Sequence, residues 1–447
     1  MCGVSFKQFL HVNKTTLYKN FASRYSSYFK FRKGSVKMDT IERGTDRLLL
    51  DQNITCPYHA SDDQTAFITS LYWWLEGVGS LLIGTSGLFL NLIAIYVLSS
   101  NELRTSFFHW LLVCLEIFDS CFLVCCVLEG ARKHIVLADT PAHNLIFAKF
   151  LFPLRSVVLL CSTYVTISLG IERYNALMNP VSHRKSTSVI ILQNQFAIYR
   201  WRLLKYIGPI IMFTSCFYIP RYFEIMATIK EDEYVPNNDT GDSITQYVLE
   251  PSEMRKSKAY VLWYINIANL VVTCAIPLLS IIFLNCKVYY ELGRYMQRRP
   301  SIVPADSASN PIASHTRQTP QNREKLPQTV TLFGIIIAFC VCHSLRVILN
   351  IKELLTMDLS APSSSCNPWS ITFMALVPIS ETLLQINCSI NFYIYCALNN
   401  RFREVFIKKF TTFVQLISIS RQSRSAMSTN EKRVSSNNED NTLPNTS

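Results

Sequence analysis

Arg155 and Arg173 are the residues whose type and placement most demand a chemical explanation. They lie eighteen positions apart in Phe147–Asn175, a helix-length stretch made mostly of apolar side chains. At about 100° per residue an α-helix brings both to one face, and at about 1.5 Å per residue it separates them by roughly 27 Å. A bilayer-spanning helix satisfies its own backbone, but a charge at depth must face protein or water rather than lipid. One face of one helix then offers a charged group to each side of a membrane. That arrangement suits sensing at Arg155 and reporting at Glu172-Arg173-Tyr174. No loop carries a catalytic constellation, so an enzyme is not expected.

Other polar side chains also fall in apolar stretches, where their cost tends to mark function. Asn91, Asp119, Ser162, Asn387 and Asn391 each sit near the middle or the Arg173-side half of such a stretch. A lone carboxylate at Asp119 must be neutral or find a partner. Five converging oxygen-bearing side chains would hydrate it or hold a small cation, since hard cations prefer oxygen ligands. A polar packing cluster without an ion is the alternative. A second set, Glu129, Arg155, Arg346, Asn350 and Glu381, falls nearer the opposite mouth. There Arg155 and Glu381 are placed to pair across a bundle, either as a permanent strut or as a pair that a charged ligand displaces.

These groups need long apolar helices to hold them. The chain of 447 residues is 49% hydrophobic and only 17% charged, below the quarter usual for soluble proteins. Seven stretches are long enough for a hydrocarbon core of about 30 Å, which takes about 20 helical residues. They are Leu71–Leu98, Phe107–Ala131, Phe147–Asn175, Leu203–Phe223, Ala259–Tyr289, Val330–Leu354 and Ile371–Leu398. The expected fold class is an all-α membrane protein, a seven-transmembrane helix bundle. Neither a fixed-period repeat nor matched Gly/Pro-broken helices, as many transporters have, are visible.

The net charge of +12 resides in loops and tails, which suits basic cytoplasmic segments better than nucleic-acid binding. Arg184, Lys185, Arg200, Arg202 and Lys205 follow the third stretch, and Arg401, Arg403, Lys408 and Lys409 follow the seventh. Asp51–Ser70 carries acids and no Lys or Arg. The N-terminus is therefore expected outside and the C-terminus inside, although Arg132 and Lys133 dissent. Most of the 15 cysteines lie in apolar runs as small hydrophobes. Cys121–Cys126 and Cys340-Val-Cys342 lack a second ligand pair, so no zinc site is expected.

Four parts follow along the chain. Residues 1–70 read as a mostly disordered extracellular segment, 71–398 as the membrane bundle, 399–413 as an amphipathic surface helix and 414–447 as a disordered cytoplasmic tail. Phe402, Phe406 and Phe410 recur at four-residue spacing among basic residues, the pattern of a helix on the inner leaflet. Met1–Leu10 lacks an apolar h-region, so the first span is expected to serve as targeting anchor, and Met38 is an alternative start. Asn13, Asn53 and Asn238 open glycosylation sequons on the expected outer side. Glu224–Lys258 is acidic at its centre, read either as a solvated loop or as a steering field for a cationic ligand. Arg298–Gln328 is rich in Pro and Ser and reads as a flexible linker.

The motif order resembles the rhodopsin-like G-protein-coupled receptors over Leu71–Phe410. Gly87-Leu88-Phe89-Leu90-Asn91, Leu115-Glu116-Ile117-Phe118-Asp119 and Glu172-Arg173-Tyr174, with Pro180 seven residues later, match the first three helices. Pro277, Phe339-x-x-Cys342 and Asn391-Phe392-Tyr393-Ile394-Tyr395 match the fifth, sixth and seventh. The resemblance implies a sodium site at Asp119, Ser162, Asn387 and Asn391, and no cofactor beyond that allosteric ion. It implies G-protein coupling through Glu172, Arg173, Tyr174 and Val181, with Tyr395 rearranging on activation. Tyr218-Ile219-Pro220-Arg221-Tyr222-Phe223-Glu224, Cys342–Arg346, Asn350, Glu353 and the Ile390–Tyr395 run are similar to the FMRFamide-type neuropeptide receptors of invertebrates.

Departures from the family pattern bear on mechanism. Leu345 stands where the sixth-helix proline is usual, His343 where tryptophan is usual, and Phe392 where proline is usual. Ala148 stands where a cysteine normally joins the third helix to the second outer loop, and Tyr218–Val272 contains no cysteine. Cys56 and Cys366 are the cysteines left to bond in an oxidising exterior, or to remain free thiols. The expectation is a multi-pass plasma-membrane receptor, in contact with lipids and not with nucleic acid. It binds an extracellular, RFamide-like neuropeptide at Glu129, Arg155, Arg346, Asn350 and Glu381 and activates a heterotrimeric G protein. A receptor for a non-peptide ligand and a membrane transporter are the alternatives. Arg155 in the amine-binding aspartate position, and Gln385 in that of the Schiff-base lysine, disfavour amine receptors and photoreceptors.

Overall fold

Long apolar runs in a solvent without hydrogen-bond partners can only be helical, and the computed structural model is a bundle of them. It describes residues 62–103, 106–134, 145–178, 195–231, 245–297, 320–356 and 370–439. The expectations at Asn13, Asn53, Cys56, Val181, Asn238 and Cys366 lie outside the described residues. Among the described residues seven helices are long and apolar enough to cross a membrane: α1 (Asp63–Leu98), α2 (Phe107–Ala131), α3 (Phe147–Met178), α4 (Tyr199–Phe223), α5 (Lys258–Arg294), α6 (Pro327–Leu355) and α7 (Ile371–Ser389). Two further helices follow, α8 (Asn391–Leu398) and α9 (Asn400–Glu439).

α3 is the central element, packing against α2, α4 and α5, while α1 closes on α2 and α7, and α6 on α7. Its core-facing residues Val165 and Leu169 join Leu111, Leu112 and Leu115 of α2, Ile335 and Phe339 of α6, and Tyr395 of α8. Phe89, Leu279 and Ile337 point outward and are exposed, as a lipid solvent allows. Gly87 permits the closest contact of α1 with α7, since a β-carbon there would collide with the Ser389 hydroxyl.

Three departures from the expected elements have local causes. The seventh stretch is not continuous to Leu398: α7 ends at Ser389 and α8 begins at Asn391. The Ser389 hydroxyl donates to the Gln385 carbonyl at 2.7 Å, and the Ile390 carbonyl accepts from the Tyr393 amide at 3.0 Å, a tightened i→i+3 turn where α8 starts. At the C-terminus, helix α9 runs on to Glu439 instead of ending near residue 413, and Asn400–Glu439 contains no Gly or Pro to stop it. Its start is fixed by Asn399, whose side-chain oxygen accepts from the Phe402 amide at 3.1 Å. Phe402 is fully buried against Tyr395, a burial that contributes about 2 kcal/mol.

The third departure lies in Glu224–Lys258, which is not simply a solvated loop. Strands β1 (Ile225–Glu231) and β2 (Thr245–Pro251) pair antiparallel from Ile225 opposite Pro251 to Glu231 opposite Thr245. Ile225, Thr228, Ile229, Thr245 and Val248 supply the β-branched side chains that favour extended backbone. In α5 the turns Leu270–Ala275 are π-helical just before Pro277, where the missing N–H and ring bulk disturb the ladder. By contrast α6 is α-helical through Leu345, as expected without a proline there.

Candidate functional site

The Arg155 end of α3 gathers charge from three helices. The Arg155 guanidinium pairs with the Glu381 carboxylate of α7, and Arg346 of α6 reaches the other Glu381 oxygen at 3.5 Å. Two guanidiniums thus share one carboxylate. The Arg155 and Glu381 side chains keep 29% and 28% of their surface exposed, so a ligand can reach them and the pair is partly screened. Phe122 of α2 lies beneath Arg155, 5.5 Å from ring centre to guanidinium carbon. Asn350, one turn along α6 from Arg346, donates to the Cys274 thiol at 3.5 Å. Glu129 is buried on α2. One turn the other way along α6, buried His343 stacks on Phe339 with ring centres 3.9 Å apart.

Midway along the bundle, Asp119 is buried and accepts from the Ser162 hydroxyl at 2.5 Å and from the Asn391 amide at 2.8 Å. Asn387 is not among its hydrogen-bond partners. The break after Ser389 places Asn387 on α7 and Asn391 on α8. Asn91 instead donates to the Cys388 carbonyl at 2.9 Å, one of those that the end of α7 leaves without an amide four residues on. Three of the five expected side chains therefore meet directly.

Glu116, three residues before Asp119 on the same face of α2, is also fully buried and accepts from the Tyr395 hydroxyl at 2.6 Å. Its other carboxylate oxygen, Oε2, has no hydrogen-bond partner. Tyr395→Phe removes the donor and leaves a buried carboxylate oxygen unmet, which costs about 1–3 kcal/mol. Thermal unfolding of the purified protein is expected to shift down by several degrees; an unchanged midpoint would show that Tyr395 does not hold Glu116.

At its other end α3 is tied to both α4 and α6. Buried Arg173 donates to the Gln328 side-chain carbonyl of α6 and lies over the Phe108 ring at 4.1 Å. Glu172, also buried, pairs with Arg202 of α4 at 2.8 Å. Tyr174 is half-buried beside them. Gln328, Arg202 and Glu116 were not among the sequence-derived site residues. Gln328 was hidden because it falls at the end of the Pro-rich stretch, yet the helix containing α6 already begins at Pro320, a residue suited to a first turn. Glu116 carried a readable signal, a second acid at helical spacing from Asp119.

A bundle of seven apolar helices with these motifs in order is consistent with a class A G-protein-coupled receptor, a multi-pass protein of the plasma membrane. Its curated homologues are FMRFamide receptors rather than enzymes. An FMRFamide receptor of Drosophila melanogaster is 23% identical over 349 residues, 75% of this chain and 53% of that protein. An FMRFamide peptide receptor of Caenorhabditis elegans is 23% identical over 346 residues, 74% of this chain and 68% of its own length. The chain thus spans about half the length of the fly receptor. No protein-family model matches it.

Proposed function

We propose that this chain binds an extracellular RFamide-like neuropeptide at its Arg155 end and activates a heterotrimeric G protein at its Arg173 end. The observation that carries the reading is that α6 holds a partner for each end of α3. Arg346 shares Glu381 with Arg155, and Gln328 holds Arg173. The ligand's arginine would compete with Arg155 and Arg346 for Glu381, with Glu129 and Asn350 in the same pocket. Releasing one guanidinium changes how α3, α6 and α7 bear on one another. The state in which Arg173 leaves Gln328 then gains population to the extent that ligand prefers it. Glu172, Tyr174 and Val181 complete the coupling face, with the N-terminus outside and α9 against the inner leaflet.

Asp119, Ser162 and Asn391 are the residues that would hold an allosteric sodium ion, with Asn387 as a more distant contributor. Their oxygen chemistry fits the ion. Replacing choline by sodium in the assay buffer should weaken agonist binding to the wild type several-fold and leave Asp119→Asn unaffected. An equal sodium response in both proteins would remove the ion from this site.

The reading is tested by scanning amidated and free-acid peptides for G-protein recruitment in cells expressing the full chain. Dose-dependent recruitment by amidated Arg-Phe peptides is expected. Peptide uptake or current without recruitment would favour a transporter.

A further inference from the structure

Tyr218–Val272, which joins α4 to α5, holds no cysteine. Ala148 is fully buried on α3, and among the described residues every cysteine is a free thiol. What meets Ala148 is β1: Ile225 is buried with Phe147, Ala148 and Leu151, one turn before Arg155. The residue next to Ile225 is Glu224, a carboxylate with no exposed surface. A buried carboxylate is tolerable only when paired and hydrogen-bonded.

Glu224 is paired from three directions. Arg255, just past β2, reaches Oε2 at 2.8 Å, Arg221 at the end of α4 reaches the same oxygen at 3.5 Å, and the Tyr260 hydroxyl of α5 donates to Oε1 at 2.9 Å. Its backbone carbonyl accepts from the Ser252 amide at 3.0 Å, and the Ser252 hydroxyl in turn accepts from the Arg255 amide at 3.4 Å. Arg221 also lies over the Phe152 ring of α3 at 5.2 Å. One side chain, next to β1 in sequence, thus joins the end of α4, the segment just after β2 and the start of α5, against the first turns of α3.

We infer that Glu224 is a positioning residue: with Arg221, Arg255 and Tyr260 it forms an ionic clamp that does the work of a disulfide, holding the β1–β2 hairpin on α3 and so fixing Arg155 relative to Glu381. The clamp rests on the geometry alone; its effect on ligand potency rests on the peptide-receptor reading. Removing one partner of a buried charge is more damaging than never having had the pair. Glu224→Gln should therefore loosen the hairpin, Arg255→Gln should do the same, and the double variant should be no worse than the worse single, because both break one network.

The test is hydrogen exchange of the full chain, purified in lipid nanodiscs without ligand. Amides of residues 225–231 and 245–250 are expected to exchange at least tenfold faster in Glu224→Gln and in Arg255→Gln, with α7 unchanged. Tyr260→Phe, which deletes a single hydroxyl from a partly exposed ring, should give a smaller increase of two- to threefold, and it keeps the test open if the charge variants fold poorly. Hairpin exchange that matches the wild type in all three variants would overturn the clamp. In cells, amidated Phe-Met-Arg-Phe should lose about tenfold in potency at Arg255→Gln while the maximal response per surface receptor is kept. Full wild-type potency at Arg255→Gln, with the hairpin loosened, would overturn the link to Arg155. A wild-type receptor silent to that peptide and to every other amidated Arg-Phe peptide would instead count against the peptide-receptor reading and leave the exchange result standing.

Discussion

Glu381→Ala is expected to lower agonist potency by roughly ten- to fiftyfold at unchanged surface expression. In the proposed pocket its carboxylate serves three cationic groups: Arg155, Arg346 and the arginine of the ligand. Charge-assisted hydrogen bonds contribute about 1.5–3 kcal/mol each, and a factor of ten in affinity corresponds to about 1.4 kcal/mol. The side chains are partly exposed, so the lower half of that energy range applies after screening by solvent and salt. Without Glu381 two guanidiniums face one another, and the ligand meets net positive charge instead of an acceptor. Arg346→Ala should not lower potency, because it removes a guanidinium that competes with the ligand for Glu381. Concentration–response curves normalised to surface receptor make the measurement. Equal potency at Glu381→Ala would move the ligand pocket elsewhere in the bundle.

The two ends of the Arg173–Gln328 bond should behave oppositely when broken. On the proposed mechanism Gln328→Ala takes away an acceptor of the resting arrangement, leaving buried Arg173 with less to hold it. A lost hydrogen bond that strands a buried donor costs about 1–3 kcal/mol, which shifts a two-state equilibrium about 5- to 150-fold. Basal G-protein activation should therefore rise several-fold, towards the agonist-stimulated level. Arg173→Ala breaks the same bond but also deletes the group that the proposed mechanism offers to the G protein. Its activation should fall below detection while binding of labelled agonist persists. Basal activity that stays at the wild-type level in Gln328→Ala would show that the bond does not restrain the resting state.

How far these features could be read from the sequence depended on how many residues each one needs. A span needs about twenty apolar residues in a row, so all seven were visible, and α3 starts at Phe147 as expected. Arg155, Glu381 and Arg346 were legible as charges in apolar runs, and geometry added only that one carboxylate serves both arginines. What escaped depended on short signals. The hairpin rests on two seven-residue strands inside an acidic stretch that averages as solvated loop. The break after Ser389 rests on one tightened turn at Ile390, and it puts Asn387 and Asn391 in different helices. Gln328 sat at the boundary of a Pro-rich segment whose composition masked the start of a helix. Glu224 falls within a family-like motif, yet its role needed the third dimension, because its partners come from α4, the segment after β2 and α5.

If one helix links a peptide at the Arg155 end to a G protein at the Arg173 end, the two ends must fail separately when each is mutated. The most direct measurement is nucleotide exchange on a purified heterotrimeric G protein, catalysed by the full chain in lipid nanodiscs, with and without amidated Phe-Met-Arg-Phe. Exchange is expected to accelerate at least tenfold with peptide in the wild type, less than twofold in Arg173→Ala, and only at much higher peptide concentration in Glu381→Ala. Peptide-stimulated exchange that is equal in all three proteins, or absent from the wild type across amidated peptides, would contradict that link.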